Sequence, residues 1–283
     1  REACEGFEAD TVFIGGGTPT VLEGRHMAEL MDALRDCFRI SPRAEITAEC
    51  NPGTLDGNKA AELYGAGINR ISLGLQSASN LELAMLGRIH TFEEFLESFG
   101  EARKAGFRNI NVDLMSALPG QTVKSWEQTL KKVTALHPEH ISAYSLMIEE
   151  GTPFYTIYHE DELLREQGEK PGLLPSEEEE RAMYELTEAF LADRGYRRYE
   201  ISNYAKPGFA CRHNTGYWTR KNYLGLGLGA SSLMENVRFS NTSEMKVYME
   251  QPFSHTDIQK LDRNASMEEF MFLGLRLTEG ISR

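Results

Sequence analysis

Cysteine is scarce in this sequence. Its four residues, Cys4, Cys37, Cys50 and Cys211, stand far apart, which argues against the paired spacing of a disulfide framework or a zinc site. Basic residues are outnumbered as well, with 30 Lys and Arg against 43 Asp and Glu and a net charge of -13. Nucleic-acid binding draws on clustered cations that release counterions, so no nucleic acid is expected as a partner. No apolar run nears the roughly 20 residues that a membrane helix needs, and membrane contact is not indicated. No secretory leader is apparent, so a cytoplasmic protein is the expectation. Gly-x-Ser-x-Gly and His-Glu-x-x-His are both missing, and with them the usual hydrolase nucleophile and zinc-protease helix.

What is present is an ordinary globular composition, 41% hydrophobic and 26% charged over 283 residues, enough for one large domain or two smaller ones. The stretch Asp10 to Thr20 organises it. A short apolar run, Thr11 to Ile14, ends in Gly15-Gly16-Gly17 followed by Thr18-Pro19-Thr20. Glycines at a strand's carboxyl end permit positive φ and let backbone N–H groups approach a polar ligand. The loop is neither a dinucleotide fingerprint nor a P-loop, so a tight turn without a ligand stays open as a reading.

Strand and helix then alternate. Helices are expected over Glu23–Phe38, Leu55–Tyr64, Thr91–Ala105 (closed by Gly106) and Val123–Leu136, with a short one near Asn80–Leu86. Strands are expected at Ala44–Cys50, Arg70–Leu75, Ile110–Leu114 and His140–Met147. This pattern predicts an α/β fold with a parallel sheet, best explained as a barrel or part-barrel. From Glu149 the rhythm breaks into a polar, proline-bearing stretch with a short charged segment, His159–Glu169. A helix from Ser176 to Asp193 follows, with Ser176 as its N-cap. Beyond it the sequence reads as strands at Tyr196–Tyr204 and Tyr223–Leu233 around an aromatic turn, Cys211–Trp218, and a final helix from Ser266 to Leu277.

Glu49, Gln76, Arg88 and Asp113 stand at or beyond successive strand ends, so a barrel would gather them on one rim. An acid for an ammonium, an Arg for a carboxylate, and an amide and a carboxylate for a diol match the groups of S-adenosylmethionine (SAM). Ordinary ion pairing on a barrel rim is the competing reading.

Six segments together carry a resemblance: Gly15–Thr20, Glu49–Pro52, Gly74–Ser77, Leu86–Arg88, Asn111–Met115 and Leu118–Thr122. In order and spacing they resemble the radical SAM family that holds oxygen-independent coproporphyrinogen III oxidase and the HemW-type heme chaperones. The resemblance implies an incomplete (β/α)6 barrel with a C-terminal α+β extension. It implies that Gly16, Gly17 and Thr18 contact the methionine end of SAM, Glu49 its amino group and Arg88 its carboxylate. Gln76 and Asp113 would take ribose hydroxyls, and Met147 the adenosine side through its backbone. The family's Cys-x-x-x-Cys-x-x-Cys loop, which holds a 4Fe–4S cluster, is not in this sequence and is expected upstream of Arg1. The strand at Thr11 is accordingly expected to be a parallel edge, and no metal ligand is assigned.

Within that family, Cys211-Arg212-His213-Asn214-Thr215-Gly216-Tyr217-Trp218 contains His-Asn-x-x-Tyr-Trp, which resembles the chaperone branch. His213 or Cys211 is a candidate axial ligand for heme, with Tyr217 and Trp218 beside it; a tight turn whose His satisfies backbone carbonyls is the structural alternative. Two functions remain. One is a carrier that binds heme, or another tetrapyrrole, and delivers it to an acceptor protein. The other is an oxidase that decarboxylates coproporphyrinogen III. The expected domains are residues 1–150 for the partial barrel, 151–265 for the extension and 266–283 for the start of a further helical module.

Overall fold

The computed structural model describes residue 4 and residues 6–281. The chain forms two compact units. The first takes the chain up to Arg198 and again Ser202–Ala210, and the second takes Tyr199–Ile201 and the chain from Cys211.

The first unit alternates as its sequence predicts. Strand β1 (Ala9–Ile14) leads to α1 (Gly24–Cys37), β2 (Ile40–Cys50), α2 (Gly57–Gly65) and β3 (Arg70–Gln76). Two helices, α3 (Asn80–Met85) and α4 (Phe92–Ala105), precede β4 (Ile110–Ser116), α5 (Val123–Thr134) and β5 (His140–Ser145). Helices α6 (Pro153–Glu166) and α7 (Glu177–Ala192) and the short strands β6 (Arg197–Arg198) and β7 (Asn203–Ala205) complete it. The seven strands lie in the order β1-β2-β3-β4-β5-β7-β6, curled into a half-barrel. The first five run parallel, β7 and β6 antiparallel. Strand β1 pairs with β2 and occupies the end of that order.

Successive side chains on a strand point to opposite faces, and here the two faces differ in chemistry. Ile46, Ala48, Ile71, Leu73, Leu75, Ile110, Val112, Leu114 and Ile141 join Met27, Met31, Leu63, Phe95, Trp126 and Leu130 of the helices in one buried core. The alternate positions, Thr47 and Glu49, Arg70 and Ser72, Asn111 and Asp113, His140 and Ser142, are polar and share the other face, the lumen of the half-barrel. Ser72 and Asn111 pair in register, as do Asn111 and His140, and Asp113 and Ser142.

The helix ends follow their sequence signals. Thr91 and Glu94 form a capping box on α4, Ser176 and Glu179 another on α7, and Gly106 ends α4 at φ 112°. One stretch departs from expectation. Residues 153–166, including the charged His159 to Glu166, are helical, because Pro153 sits at the first helical position, where a missing N–H costs nothing, and Thr152 caps the helix. The strand–helix alternation ends near 150, yet the compact unit runs on to Ala210 because β7 pairs with β5.

In the second unit, Cys211 to Trp218 is not a turn: Arg212–Trp218 forms helix α8. Tyr223–Leu233 is not a continuous strand either. Only Ser231–Met234 is extended (β8), and Tyr223 meets Leu233 in an isolated bridge. Strands β9 (Val237–Asn241) and β10 (His255–Lys260) complete a three-stranded antiparallel sheet, with α9 (Met245–Glu250) between them. Helix α10 (Arg263–Gly274) is the last helix among the described residues, starting three residues earlier than its sequence suggests because Asp262 caps it and stopping before Leu277, which bridges to Glu200 instead.

Candidate functional site

The glycine loop follows β1 directly. A Cβ on Gly15 would lie 2.8 Å from Glu49 Oε2 and 2.8 Å from the Phe13 ring, so a side chain there would force one of these neighbours to move. Gly16 and Gly17 adopt φ of 85° and 77°, conformations that L side chains rarely take, and open space surrounds both. The Gly16 N–H donates to Glu49 Oε2 at 3.1 Å. The carboxyl end of β2 therefore supplies a carboxylate beside a bare stretch of backbone.

Asn51 ties this loop to the next strands. Its Nδ2 donates to Thr18 Oγ1 at 2.6 Å, and its Oδ1 accepts from Arg88 Nη2 at 2.9 Å. The same Arg88 nitrogen donates to the Gly74 carbonyl at 2.9 Å. A Cβ on Gly74 would meet Arg88 Nη2 at 3.2 Å, Asn51 Oδ1 at 3.3 Å and Gln76 Nε2 at 3.5 Å, so three side chains converge on this glycine. Gln76 closes β3 at φ 72°, and Tyr144 O–H donates to its Oε1 at 3.0 Å. Asp113 accepts from Asn111 Nδ2 at 2.8 Å and Ser72 Oγ at 3.2 Å.

The charges share one space. Burial raises the Glu49 carboxyl above its ordinary value; the Gly16 hydrogen bond opposes this and Asp113 adds to it. Burial also raises Asp113, against hydrogen bonds from Asn111, Ser142 and Ser72 and the charge of Arg70. Arg88 is lowered by burial, with Tyr144 and Asp113 opposing. Tyr144 is pushed up to about 12, first by burial and then by Asp113, with Glu49 contributing. Glu49, Gln76, Arg88 and Asp113 are thus brought together beside Gly16 to Thr18. Met147 lies two residues past β5 with its side chain exposed.

The donor set suits a zwitterion carrying a diol: a carboxylate for an ammonium, a guanidinium for a carboxylate, and bare N–H groups with no Cβ above them. That is the chemistry of SAM. Among the described residues, no group of three or more His, Cys, Asp or Glu is placed to hold a metal.

In the second unit, His213 Nε2 and Tyr217 O–H share a hydrogen bond at 2.9 Å on α8, their rings edge-on with centroids 4.9 Å apart. Tyr217 meets Tyr223 in the same way at 4.7 Å. Trp218 lies under the Arg276 guanidinium at 4.2 Å, and its Nε1 is buried without a hydrogen-bond partner among the described residues. Cys211 is fully buried at the N-cap of α8.

Comparison with known proteins gives the family. The profile of the radical SAM superfamily matches residues 1–133. A protein named heme chaperone HemW from Bacillus subtilis (strain 168) is 38% identical over 278 residues, covering 96% of this chain and 71% of its own length. The chain belongs to the HemW family. A HemW from Escherichia coli (strain K12) is 35% identical, with 99% of this chain and 72% of that protein covered. The solved structure of coproporphyrinogen III oxidase (HemN) from Escherichia coli, described as a radical SAM enzyme, superposes with a TM-score of 0.80 at 25% identity. That match covers 95% of this chain and 63% of the HemN chain.

For this HemW family member, the sequence missed two residues of the cluster. Asn51 reads as half of an Asn-Pro turn, and only the observed relay shows its side chain between Thr18 and Arg88. Tyr144 is not singled out within the expected strand His140–Met147; its even spacing from His140 and Ser142 was the available signal that it shares their lumen face. No helix among the described residues is long and apolar enough to cross a membrane.

Proposed function

We propose that this chain acts in a heme chaperone that uses SAM and a 4Fe–4S cluster, takes heme as cargo and passes it to acceptor proteins in the cytoplasm; its own residues would supply the SAM and heme sites, while the three-cysteine loop that holds the family's cluster is not among them. The observation that carries the reading is 38% identity across 96% of the chain with a protein named as such a chaperone. Glu49 holds the SAM ammonium, Arg88 its carboxylate, and Gly16, Gly17 and Thr18 cradle the methionine end. Gln76 and Asp113 take the ribose hydroxyls, and the Met147 backbone borders the adenosine. When bound, the cluster supplies an iron with an open position and an electron for SAM.

Heme belongs to α8 and its surroundings in the second unit. His213 is the axial candidate, with Tyr217 and Trp218 offering flat apolar surface to a macrocycle. Cys211 is the weaker candidate, because its sulfur is buried beneath the helix start.

The test is heme titration of the cluster-bearing protein. A saturable Soret shift that weakens in His213→Ala, with circular dichroism unchanged, supports the carrier with His213 as ligand. An unaltered shift in that variant removes His213 from the site. The likeness to HemN favours a second reading, oxidation of coproporphyrinogen III; protoporphyrinogen IX formed with SAM and a reductant would establish it in place of the carrier.

A further inference from the structure

Two adjacent parallel strands leave the sheet in a conformation that L side chains rarely adopt. Gln76, ending β3, has φ 72°, and Ala117, just past β4, has φ 58°. Neither is glycine, so the surroundings must hold both in place.

The holding group lies between them. Glu82 is a buried carboxylate in the first turn of α3, and its Oε2 accepts from Ser77 Oγ at 2.5 Å and from Gln121 Nε2 at 3.0 Å. Ser77, directly after Gln76, is fully buried, and its Oγ also accepts the Ser79 N–H at 3.0 Å. Gln121 is buried too, and its Oε1 accepts the Leu118 N–H at 3.4 Å, closing the turn that follows Ala117. One carboxylate therefore clasps both strand exits. Helix α5 adds support from below, as Lys132 donates to the Ala78 carbonyl at 2.9 Å.

The clasp reaches the cofactor cluster by two short routes. Gln76 is the immediate neighbour of Ser77. Arg88 is tied to the same helix, since its backbone N–H donates to Leu83 O at 2.9 Å. A carboxylate buried against neutral donors is a costly way to stabilise a core; it is a direct way to fix a turn.

We propose that Glu82 and Gln121 are positioning residues for the cofactor site: their clasp with Ser77 fixes the left-handed exit at Gln76 and the anchorage of Arg88. The proposal rests on the reading of that cluster as the SAM site. Neither residue belongs to the cluster proposed to hold the ligand. Each acts by preorganising groups that do.

The test is SAM titration by calorimetry in the cluster-bearing protein. Glu82→Met removes the oxygen that accepts both hydrogen bonds and is expected to weaken SAM roughly tenfold, a coupling of the usual size for contacting residues. Glu82→Gln keeps a carbonyl oxygen for Ser77 and Gln121, and should stay near native affinity. In a Gln76→Ala background, Glu82→Met should cost clearly less than it does alone. Native affinity in a folded Glu82→Met variant, or losses that multiply fully in the double variant, would overturn the clasp. If Glu82→Met does not fold, Ser77→Ala against the same background is judged by the same criteria. Gln76→Ala and Arg88→Ala serve as controls. If neither weakens SAM, the site reading fails and the proposal with it; if they do and the clasp variants do not, the proposal alone fails.

Discussion

Arg88 donates to Asn51 at 2.9 Å through a nitrogen that also holds the Gly74 carbonyl. One asparagine thus sets both the guanidinium and, through Thr18, the glycine loop. Asn51→Ala leaves Arg88 less constrained and Thr18 without its donor. SAM binding should weaken by about 1.4 kcal/mol, the size of one good hydrogen bond. Arg88→Ala should cost more, about 1.5–3 kcal/mol, because it removes a charge-assisted contact. Calorimetry on the two variants decides the order.

Glu49 gives the pH dependence. Burial raises its pKa, so if Glu49 is the group that takes the SAM ammonium, as proposed, its carboxylate is lost as pH falls through a window above the ordinary glutamate range. SAM affinity should drop there, and Glu49→Gln should flatten the profile at a weak level. The stability sign is the reverse. A carboxyl raised in the folded state favours folding at low pH, and that contribution is lost as pH rises through its folded pKa. At pH 7, Glu49→Gln should therefore melt at or above the native temperature while binding SAM poorly.

Gly15→Ala places a methyl 2.8 Å from both Glu49 Oε2 and the Phe13 ring. The carboxylate is the movable neighbour, so it should shift off the Gly16 N–H. The fold survives at a cost of about 1–3 kcal/mol, read as a lower melting temperature. SAM affinity should fall to the level of Glu49→Gln.

Tyr217→Phe tests the heme reading from the opposite direction. Ligation through His213 Nε2 requires breaking the hydrogen bond to the Tyr217 hydroxyl. Without that hydroxyl this hydrogen bond no longer has to be broken, and heme should bind up to about tenfold tighter, one hydrogen bond's worth. A titration with no gain, or with a loss, points to a ligand other than Nε2.

The half-barrel was legible because its strands end in chemistry. The glycine triplet, Glu49 and Gln76 mark carboxyl ends that periodicity then frames, whereas Asp113, expected at a strand end, lies in the middle of β4 because that strand runs on to Ser116. The residues that were not legible are those whose role depends on side-chain direction: Asn51 hidden in a turn motif, Gln121 in another, and Glu82 among the helix-favouring residues of α3. The second unit resisted for a different reason. Helix α8 is seven residues long and contains Gly216, so its aromatics read as a turn. Strand β10 is exposed throughout and polar, leaving no buried face to write an alternation. Helix α6 was masked by Pro153, which signals a break anywhere except the first helical turn.

The two-faced sheet has a consequence for folding as well as for binding. A slip of one residue between parallel strands would turn Arg70, Asp113 and His140 toward the apolar helix layer and send Ile71, Val112 and Ile141 into the lumen. An ordinary apolar barrel interior tolerates such an error more readily, since both faces of its strands are greasy. Here each polar row is a key cut for one alignment. The lumen's polar groups, Asp113 of the proposed SAM site among them, also reject misaligned sheets while the chain is still searching, so stripping the lumen of polarity would cost the protein its accuracy of assembly.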